Sequence, residues 1–188
     1  MRPILSLMVV LMVFAFACTA FAQDEIDNPM YQKWATFKVG TAAKYKQVTE
    51  AAGNKTESEI VYTLVELTPE KAVVEMSGSM VIMGNKTEMP KTKMEHMAKV
   101  KKIEMPAQVA TETVEAAKPK VSEEEVEVPA GKIKCSLTET EAKVGEGAVY
   151  SKIWSSDEVP GTMVKMTSTM EKPIKSDTSI TLIEVIKP

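Results

Sequence analysis

Most of this sequence alternates apolar and polar residues with a period of two, and that pattern limits the possible folds more than any other feature. In one segment Ala72, Val74, Met76, Met80 and Ile82 share one side, and lysine, glutamate and serine occupy the other. Successive side chains of a β-strand point to opposite faces. The alternation therefore predicts strands with one buried face rather than helices.

The alternating segments are separated by short turns rich in glycine, asparagine and proline. The string Gly-Asn-Lys-Thr-Glu occurs twice, at 53–57 and 84–88, and each copy lies between two alternating segments. Glycine and asparagine tolerate the positive φ of hairpin turns. We therefore predict a mainly β fold of about nine antiparallel strands, over Ala43–Ala51, Glu57–Leu67, Ala72–Met83, Thr87–Val100, Val121–Val128, Lys132–Glu141, Ala148–Trp154, Thr162–Met170 and Thr178–Ile186.

A sheet of this size has to curl or close, so we expect a curved antiparallel sheet, a half-barrel. Residues 23–188 are expected to form one domain, and 105–120, with its prolines, alanines and threonines, a loose loop within it.

One short helix is predicted before the first strand. Asn28 suits the N-cap and Pro29 the first helical position, while Gly40 can end the helix. Trp34 and Phe37 fall on one face together with Met30, so this face is expected to pack on the sheet.

The first 22 residues match a secretory signal peptide. Arg2 precedes an apolar run from Ile4 to Ala17, and a small-x-small site ends at Ala22. The run is too short for a membrane span, which needs about 20 apolar residues, and no other segment comes close. The chain is thus expected to be exported, periplasmic or extracellular. Alternatively, Cys18 is the acylated residue of a membrane-anchored lipoprotein.

The charge balance argues against nucleic acid as a partner. Arg2 is the single arginine, and the chain carries a net charge of −3. Arginine is the preferred side chain for planar recognition of phosphate, and an acidic protein is repelled by a polyanion. Nucleic acid binding is therefore not expected.

Catalysis finds little support in the sequence. His96 is the only histidine, and no nucleophile–base pattern accompanies it. Removal of the signal peptide would leave Cys135 as the only cysteine, at an inward position of a predicted strand, where a buried structural role is expected. The run Glu123-Glu124-Glu125 suits a solvated edge strand. We expect a non-enzymatic protein without a cofactor.

Methionine is the one unusual component, with fourteen in the chain and a cluster between 76 and 105. Thioethers fill gaps in cores, line adaptable apolar surfaces, and bind soft metals such as Cu(I) together with imidazole. All three interpretations stay open. The predicted concave ligand face consists of Trp34, Phe37, Val74, Met76, Met80, Ile82, Met94 and Val100, and the predicted metal ligands are Met94, His96 and Met80.

Three segments in the second half show a resemblance to a known group of proteins. They are Val128–Cys135, Val149–Trp154 and Val159–Lys165, with their "VPAG-x-x-x-C" and "VPG-x-x-VK" strings. In these residues the chain resembles uncharacterised exported bacterial proteins similar to the periplasmic lipoprotein-carrier (LolA/LolB-like) superfamily. The resemblance implies a half-barrel with helical material on its concave side and, in members of known role, acyl chains sheltered there. It implies no catalytic residues.

Two functional hypotheses follow. The first is a binding module of the cell envelope that shelters a hydrophobic small molecule or lipid in the concavity. The second is a structural or interaction protein whose concavity is filled by its own side chains and whose envelope protein partner docks along a strand edge.

Overall fold

A computed structural model describes residues 25–82, 84–101, 117–144, 147–172 and 174–188 of the protein. The predicted signal peptide, Cys18, Met83 and positions 105–116 of the predicted loose loop lie outside these ranges. One helix, α1, spans Pro29–Ala35. Within the described ranges the strands are β1 (Glu25–Asp27), β2 (Ala42–Ala51), β3 (Asn54–Leu67), β4 (Lys71–Ile82), β5 (Asn85–Met97), β6 (Lys99–Lys101), β7 (Lys120–Val128), β8 (Gly131–Val144), β9 (Gly147–Ser155), β10 (Met163–Met170) and β11 (Ser176–Ile186).

Nine of these described strands form one open antiparallel sheet in the order β5-β4-β3-β2-β11-β10-β9-β8-β7. The prediction of a mainly β fold with about nine antiparallel strands and one short helix is confirmed. The fourth predicted strand, Thr87–Val100, is divided at Ala98. Its last residues form β6, which pairs with β1 in a separate two-stranded ladder.

The two halves of the sheet are joined by β2 and β11. These strands pair antiparallel from Ala42↔Ile186 to Ala51↔Ser176. On one side of this pair, β2 to β5 follow one another as a meander, and on the other side β11 to β7 do the same in reverse order. Strands from opposite ends of the chain thus lie at the centre of the sheet.

Bulges bend the sheet. The register shifts between Leu64 and Glu66, between Leu182 and Glu184, and between Met163 and Lys165. An extra residue in one strand bends it and increases its twist. The curvature brings β7 near β11, four places away in the strand order. The β7–β11 half is therefore strongly curled, although the sheet stays open.

Helix α1 begins as predicted and ends earlier. The Asn28 side chain accepts a hydrogen bond of 2.9 Å from the Met30 amide, and Pro29 occupies the first turn. The helix stops at Ala35, with Thr36 as its C-cap, so Phe37 lies beyond it rather than on its last turn. Met30 does not share the buried face either, because 44% of its surface is exposed.

Trp34 is the residue through which α1 packs on the sheet. It is 4% exposed and belongs to a cluster of buried side chains with Leu64, Ala72 and Val74. Helix α1 also contacts the β9–β10 loop. The Gly161 amide in this loop donates a hydrogen bond of 3.2 Å to the Lys33 carbonyl oxygen on the helix. A Cβ on Gly161 would come within 3.2 Å of the indole ring. The helix therefore touches both halves of the curved sheet.

A second cluster fills the curled half. It consists of Ala43, Tyr45, Val126, Val128, Cys135, Leu137, Trp154, Val159, Val164 and Leu182. The prediction that Cys135 is buried is confirmed. Both clusters lie towards the end of the sheet where α1 packs, whereas the opposite end, with the β2–β3 and β4–β5 turns, is largely exposed.

No helix within the described ranges is long and apolar enough to cross a membrane.

Trp34→Ala is expected to lower the free energy of unfolding by about 3–5 kcal/mol, because it leaves a cavity between α1 and the sheet. Met30→Ala is the matched control on the same helix and should cost less than about 0.5 kcal/mol, since Met30 is exposed. Urea unfolding of the two variants measures both values. Equal losses for the two substitutions would contradict the packing role of Trp34.

Candidate functional site

Four of the predicted ligand-face residues come together under the helix. Trp34 and Val74 are buried there, and Phe37 and Met94 are half-buried and pack against the same cluster. The structure thus gathers these side chains as predicted, but it uses them to fill space between α1, β3, β4 and β5. Their mutual contacts make this end of the concavity a packed core.

The other four predicted residues are dispersed. Met76 and Met80 are half-buried along β4, and Ile82 lies at its end with 49% of its surface exposed. Val100 pairs with Ile26 in the separate β1–β6 ladder. These positions extend away from the packed cluster and do not converge on one pocket.

The predicted metal ligands are only partly brought together. Met94 and His96 pair with Val74 and Ala72, so they lie side by side on one face of β5, as expected. Met80 lies six residues along β4 from Val74, which places it about 20 Å away from Met94. The Met76 thioether is nearer, two residues from Val74 on the same strand.

The inner face of the sheet continues beyond the packed core as rows of cross-strand partners. Residues that pair directly across strands share a face, and so do residues two apart in one strand. Starting from the buried Tyr45 and Leu182, which pair with each other, the next row on their face is Met80, Ser58, Gln47, Ile180, Met166, Ile153 and Thr138. On β9 and β8 this row lies on the face opposite to Trp154 and Leu137, which pair with each other and belong to the second buried cluster. Its apolar part lies on β11, β10 and β9.

The following inner row consists of hydroxyl side chains on six neighbouring strands. Direct pairings connect Thr56, Thr49, Thr178, Ser168, Ser151 and Thr140. The Thr49 and Thr178 hydroxyls lie 3.3 Å apart, and the Ser151 and Ser168 hydroxyls 3.1 Å apart, so each pair is hydrogen-bonded. All six residues are half-buried.

A third inner row is apolar again, with Met170 paired to Val149 and Val149 to Ala142. On β9 and β10 the hydroxyl row therefore lies between two apolar rows. We name the inner patch of β9, β10 and β11 by its six central residues, Ile180, Met166, Ile153, Thr178, Ser168 and Ser151, and call it the shelf.

The outer face of β2 and β3 is charged. Lys46 and Lys55 each contact Glu57 at 2.9 Å, and Lys44 contacts Glu59 at 3.1 Å. The ammonium groups of Lys55 and Lys46 lower the pKa of Glu57 to about 2. These pairs are exposed and contribute little stability, but they mark the face that solvent wets.

An open cleft of about 730 Å³ lies beside the β7 edge. It is lined by Lys33, Glu123, Glu124, Glu125, Lys134, Cys135, Ser136, Ser155, Ser156, Asp157 and Thr162. None of the predicted ligand residues lines it. Its volume is in the range of small-molecule sites, but its walls are polar, with four carboxylates and two ammonium groups.

Two of the side chains that line this cleft, Glu124 and Cys135, lie against the buried core. The indole of Trp154 donates a hydrogen bond to the Glu124 carboxylate, and Lys165 lies 5.0 Å from the centre of the Trp154 ring. Burial raises the pKa of the Cys135 thiol, and Glu124 and Glu158 raise it further. A thiol of this kind stays protonated and is a poor nucleophile.

Sequence reasoning missed the shelf. The period-two signal was present, since Met166 and Ser168 alternate with Lys165 and Thr167 on a predicted strand. The missing information was the pairing of β2 with β11, which no short-range turn signal reveals. Without it, the hydroxyls of six strands could not be assigned to one row.

Comparisons with known proteins give two structural similarities. No protein-family model matches the chain, and no curated protein matches it. A crystal structure described as a "putative lipoprotein" from Parabacteroides distasonis is similar over 84% of this chain and 99% of that one, with 14% identity and a TM-score of 0.44.

A second similar structure, from Bacteroides fragilis, is described as a "putative exported protein with YmcC-like fold". The similarity covers 80% of this chain and 97% of that one, with 12% identity and a TM-score of 0.41. Scores this low carry no argument about the function of this chain. The resemblance to the lipoprotein-carrier superfamily stays a prediction.

Partial burial lowers the pKa of His96 below its usual value of about 6.5. The unfolded chain then binds a proton more readily than the folded one, so His96 stabilises the fold above pH 6.5 and loses this contribution as the pH falls through the lower, folded pKa. The only imidazole of the chain gives a single, assignable NMR titration.

The free energy of unfolding of the unsubstituted protein, relative to that of His96→Gln, should fall between pH 7 and pH 5, because histidine titrates in this range and glutamine does not. A folded pKa at or above 6.5 would contradict this account.

Proposed function

We propose that the protein is an exported, non-enzymatic binding protein of the cell envelope, and that the shelf holds an amphipathic, lipid-like molecule. The proposal depends on one observation: cross-strand partners on three adjacent strands place Ile180, Met166 and Ile153 in one row. Export rests on the signal sequence of residues 1–22 and on the Ala22 site.

The packed core and the shelf divide the inner face between them. Near α1 the face is filled by Trp34 and its neighbours, so a ligand has no room there without displacing the helix. On the shelf the apolar side chains keep part of their surface in solvent, and Ile153 is 37% exposed. Covering apolar surface is favourable by about 25 cal/mol per Å². A ligand that covers the shelf would therefore gain free energy from burial, whereas the core side chains are already covered by α1.

The resemblance implies a ligand sheltered on the concave face, and the proposed ligand surface lies at a different position on the sheet from the predicted one. The predicted ligand face centred on Trp34 and Met94 becomes the floor under the helix. Among the predicted residues, Met80 and Ile82 lie in rows that lead to the shelf, since Met80 pairs with Ser58 and Ile82 with Thr56. The ligand surface is thus shifted from β4 and β5 towards β9, β10 and β11.

Met166→Lys is expected to weaken binding of the neutral apolar dye Nile red by about tenfold or more, because it introduces an ammonium group into the apolar row. Thr167→Lys is the matched control, one residue away on the outer face. Dye fluorescence during titration measures both affinities.

Native mass spectrometry of protein purified from its own envelope should show a co-purifying lipid. Protein that is consistently empty and does not bind the dye would contradict the proposal, as would equal effects of the two lysines.

A second candidate function, docking of a protein partner, is favoured by the edge of β7, which pairs with no further strand in the part of the chain that the structure describes. This edge strand runs from Lys120 to Val128 without a proline, and its register with β8 is unbroken. The opposite edge strand, β5, contains Pro90 and faces a register shift between Met76 and Gly78. Prolines and bulges protect edges from pairing, so β7 is the better acceptor for an added strand.

The cleft beside β7 indicates the charge of such a partner. Glu123 and Glu125 lie on the free edge and line the cleft together with Asp157. An extended segment with lysine side chains would add main-chain hydrogen bonds to β7 and bring ammonium groups to these carboxylates.

A synthetic peptide of alternating lysine and valine tests this second function. Binding should weaken with added salt and disappear when alternate peptide nitrogens are methylated, because the N–H donors are lost. Glu123→Gln and Glu125→Gln should each weaken it about two- to fivefold. Binding of the methylated peptide with unchanged affinity would exclude strand addition.

A further inference from the structure

The two faces of the sheet around the shelf differ in charged residues: the outer face combines hydroxyls, such as Thr167 and Ser179, with lysines and glutamates, and the shelf face has hydroxyls without charges. Next to the shelf, the outer face presents Lys152 and Thr167, and further along the same face Lys46 and Glu57 form an ion pair. The shelf and the whole hydroxyl row contain no ionisable side chain, although a quarter of the chain's residues are charged.

From this distribution we infer that the polar part of the shelf ligand is uncharged and rich in hydroxyl groups, as in an acyl glycerol or an alkyl glycoside. This inference rests on the proposed function and adds the chemical class of the ligand. Its basis is the juxtaposition of hydroxyl and apolar side chains on one face. Ser168 lies between Met166 and Met170, Ser151 lies between Ile153 and Val149, and Thr178 lies beside Ile180.

The hydroxyl pairs retain hydrogen-bonding capacity. Each hydroxyl has one donor and two acceptor lone pairs. In the Thr49–Thr178 pair and in the Ser151–Ser168 pair, one hydroxyl donates to the other, which leaves one O–H and several lone pairs of each pair for a ligand. A ligand hydroxyl can both donate and accept, so it matches this combination. A carboxylate accepts only, and an ammonium group donates only.

A charged headgroup on the shelf would lack a counter-charge. Desolvating an ion without a partner is far more costly than desolvating a hydroxyl group that forms hydrogen bonds. On the outer face several such charges have an opposite neighbour, as Lys44 has Glu59 and Lys152 has Glu139. On the shelf the neighbours of a bound headgroup would be Thr178, Ser168 and Ser151, which carry no charge.

Three amphiphiles with the same dodecyl-length chain test the inference: monolaurin with its glycerol headgroup, laurate as an anion, and dodecylammonium as a cation. Displacement of Nile red from the purified protein, below the micellar concentration of each amphiphile, gives the affinities. Monolaurin is expected to bind about tenfold more tightly than either ion.

Variants then connect the preference to the hydroxyl row. The double substitution Thr49→Val, Thr178→Val should weaken monolaurin about tenfold more than it weakens Nile red, because it removes hydroxyls and keeps the branched shape. Thr49→Ser, Thr178→Ser keeps the hydroxyls and should restore the preference. Thr167→Val, on the outer face, is the control and should change neither ligand.

The outcomes separate the inference from the function on which it rests. If Nile red binds but laurate or dodecylammonium matches monolaurin, or if the valine variant keeps the preference, the uncharged headgroup is refuted and the apolar shelf remains. If neither the dye nor any of the amphiphiles binds, both fail.

Discussion

The pairing of β2 with β11 is the interaction on which the rest of the structure depends. The two meanders, β2–β5 and β7–β11, would each be a small sheet with its own free edges, and a sheet with one apolar face is not stable alone. Pairing along ten residues of β2 joins them into one curved layer. The layer brings Tyr45 and Leu182 together, and α1 then covers the adjoining inner face.

The sequence predicted the local structure well and the long-range arrangement incompletely. Strand positions, the Asn28 cap and the burial of Cys135 follow from periodicity and turn chemistry, which act over a few residues. The early end of α1 and the central β2–β11 pair depend on tertiary packing, which periodicity does not encode. Trp34 and Met94 are predicted as ligand residues because apolar side chains in a core and in a binding site show the same sequence pattern.

One helix of two turns cannot cover the inner face of nine strands. Trp34 fills the end near the bulges, where Leu64, Val74 and Val164 are fully buried. Towards the turns at the other end, the inner rows stay half-buried on a single layer of sheet. The chain therefore separates stability from binding along the strands: the bulged end holds the core, and the opposite end leaves apolar and hydroxyl rows accessible.

One alternative is that the hydroxyl row only makes an exposed inner surface hydrophilic. The composition of the row argues against this alternative. The solvent-facing outer side combines hydroxyls, such as Thr167 and Ser179, with lysine and glutamate in ion pairs, such as Lys46 with Glu57. The same residue types would have served on the inner face if solvent were its only neighbour. Serine and threonine between apolar rows satisfy a different condition: they tolerate removal from water when a partner supplies hydrogen bonds, because a hydroxyl group loses far less on desolvation than an ion does. A surface built of such residues suits intermittent coverage by an uncharged amphiphile.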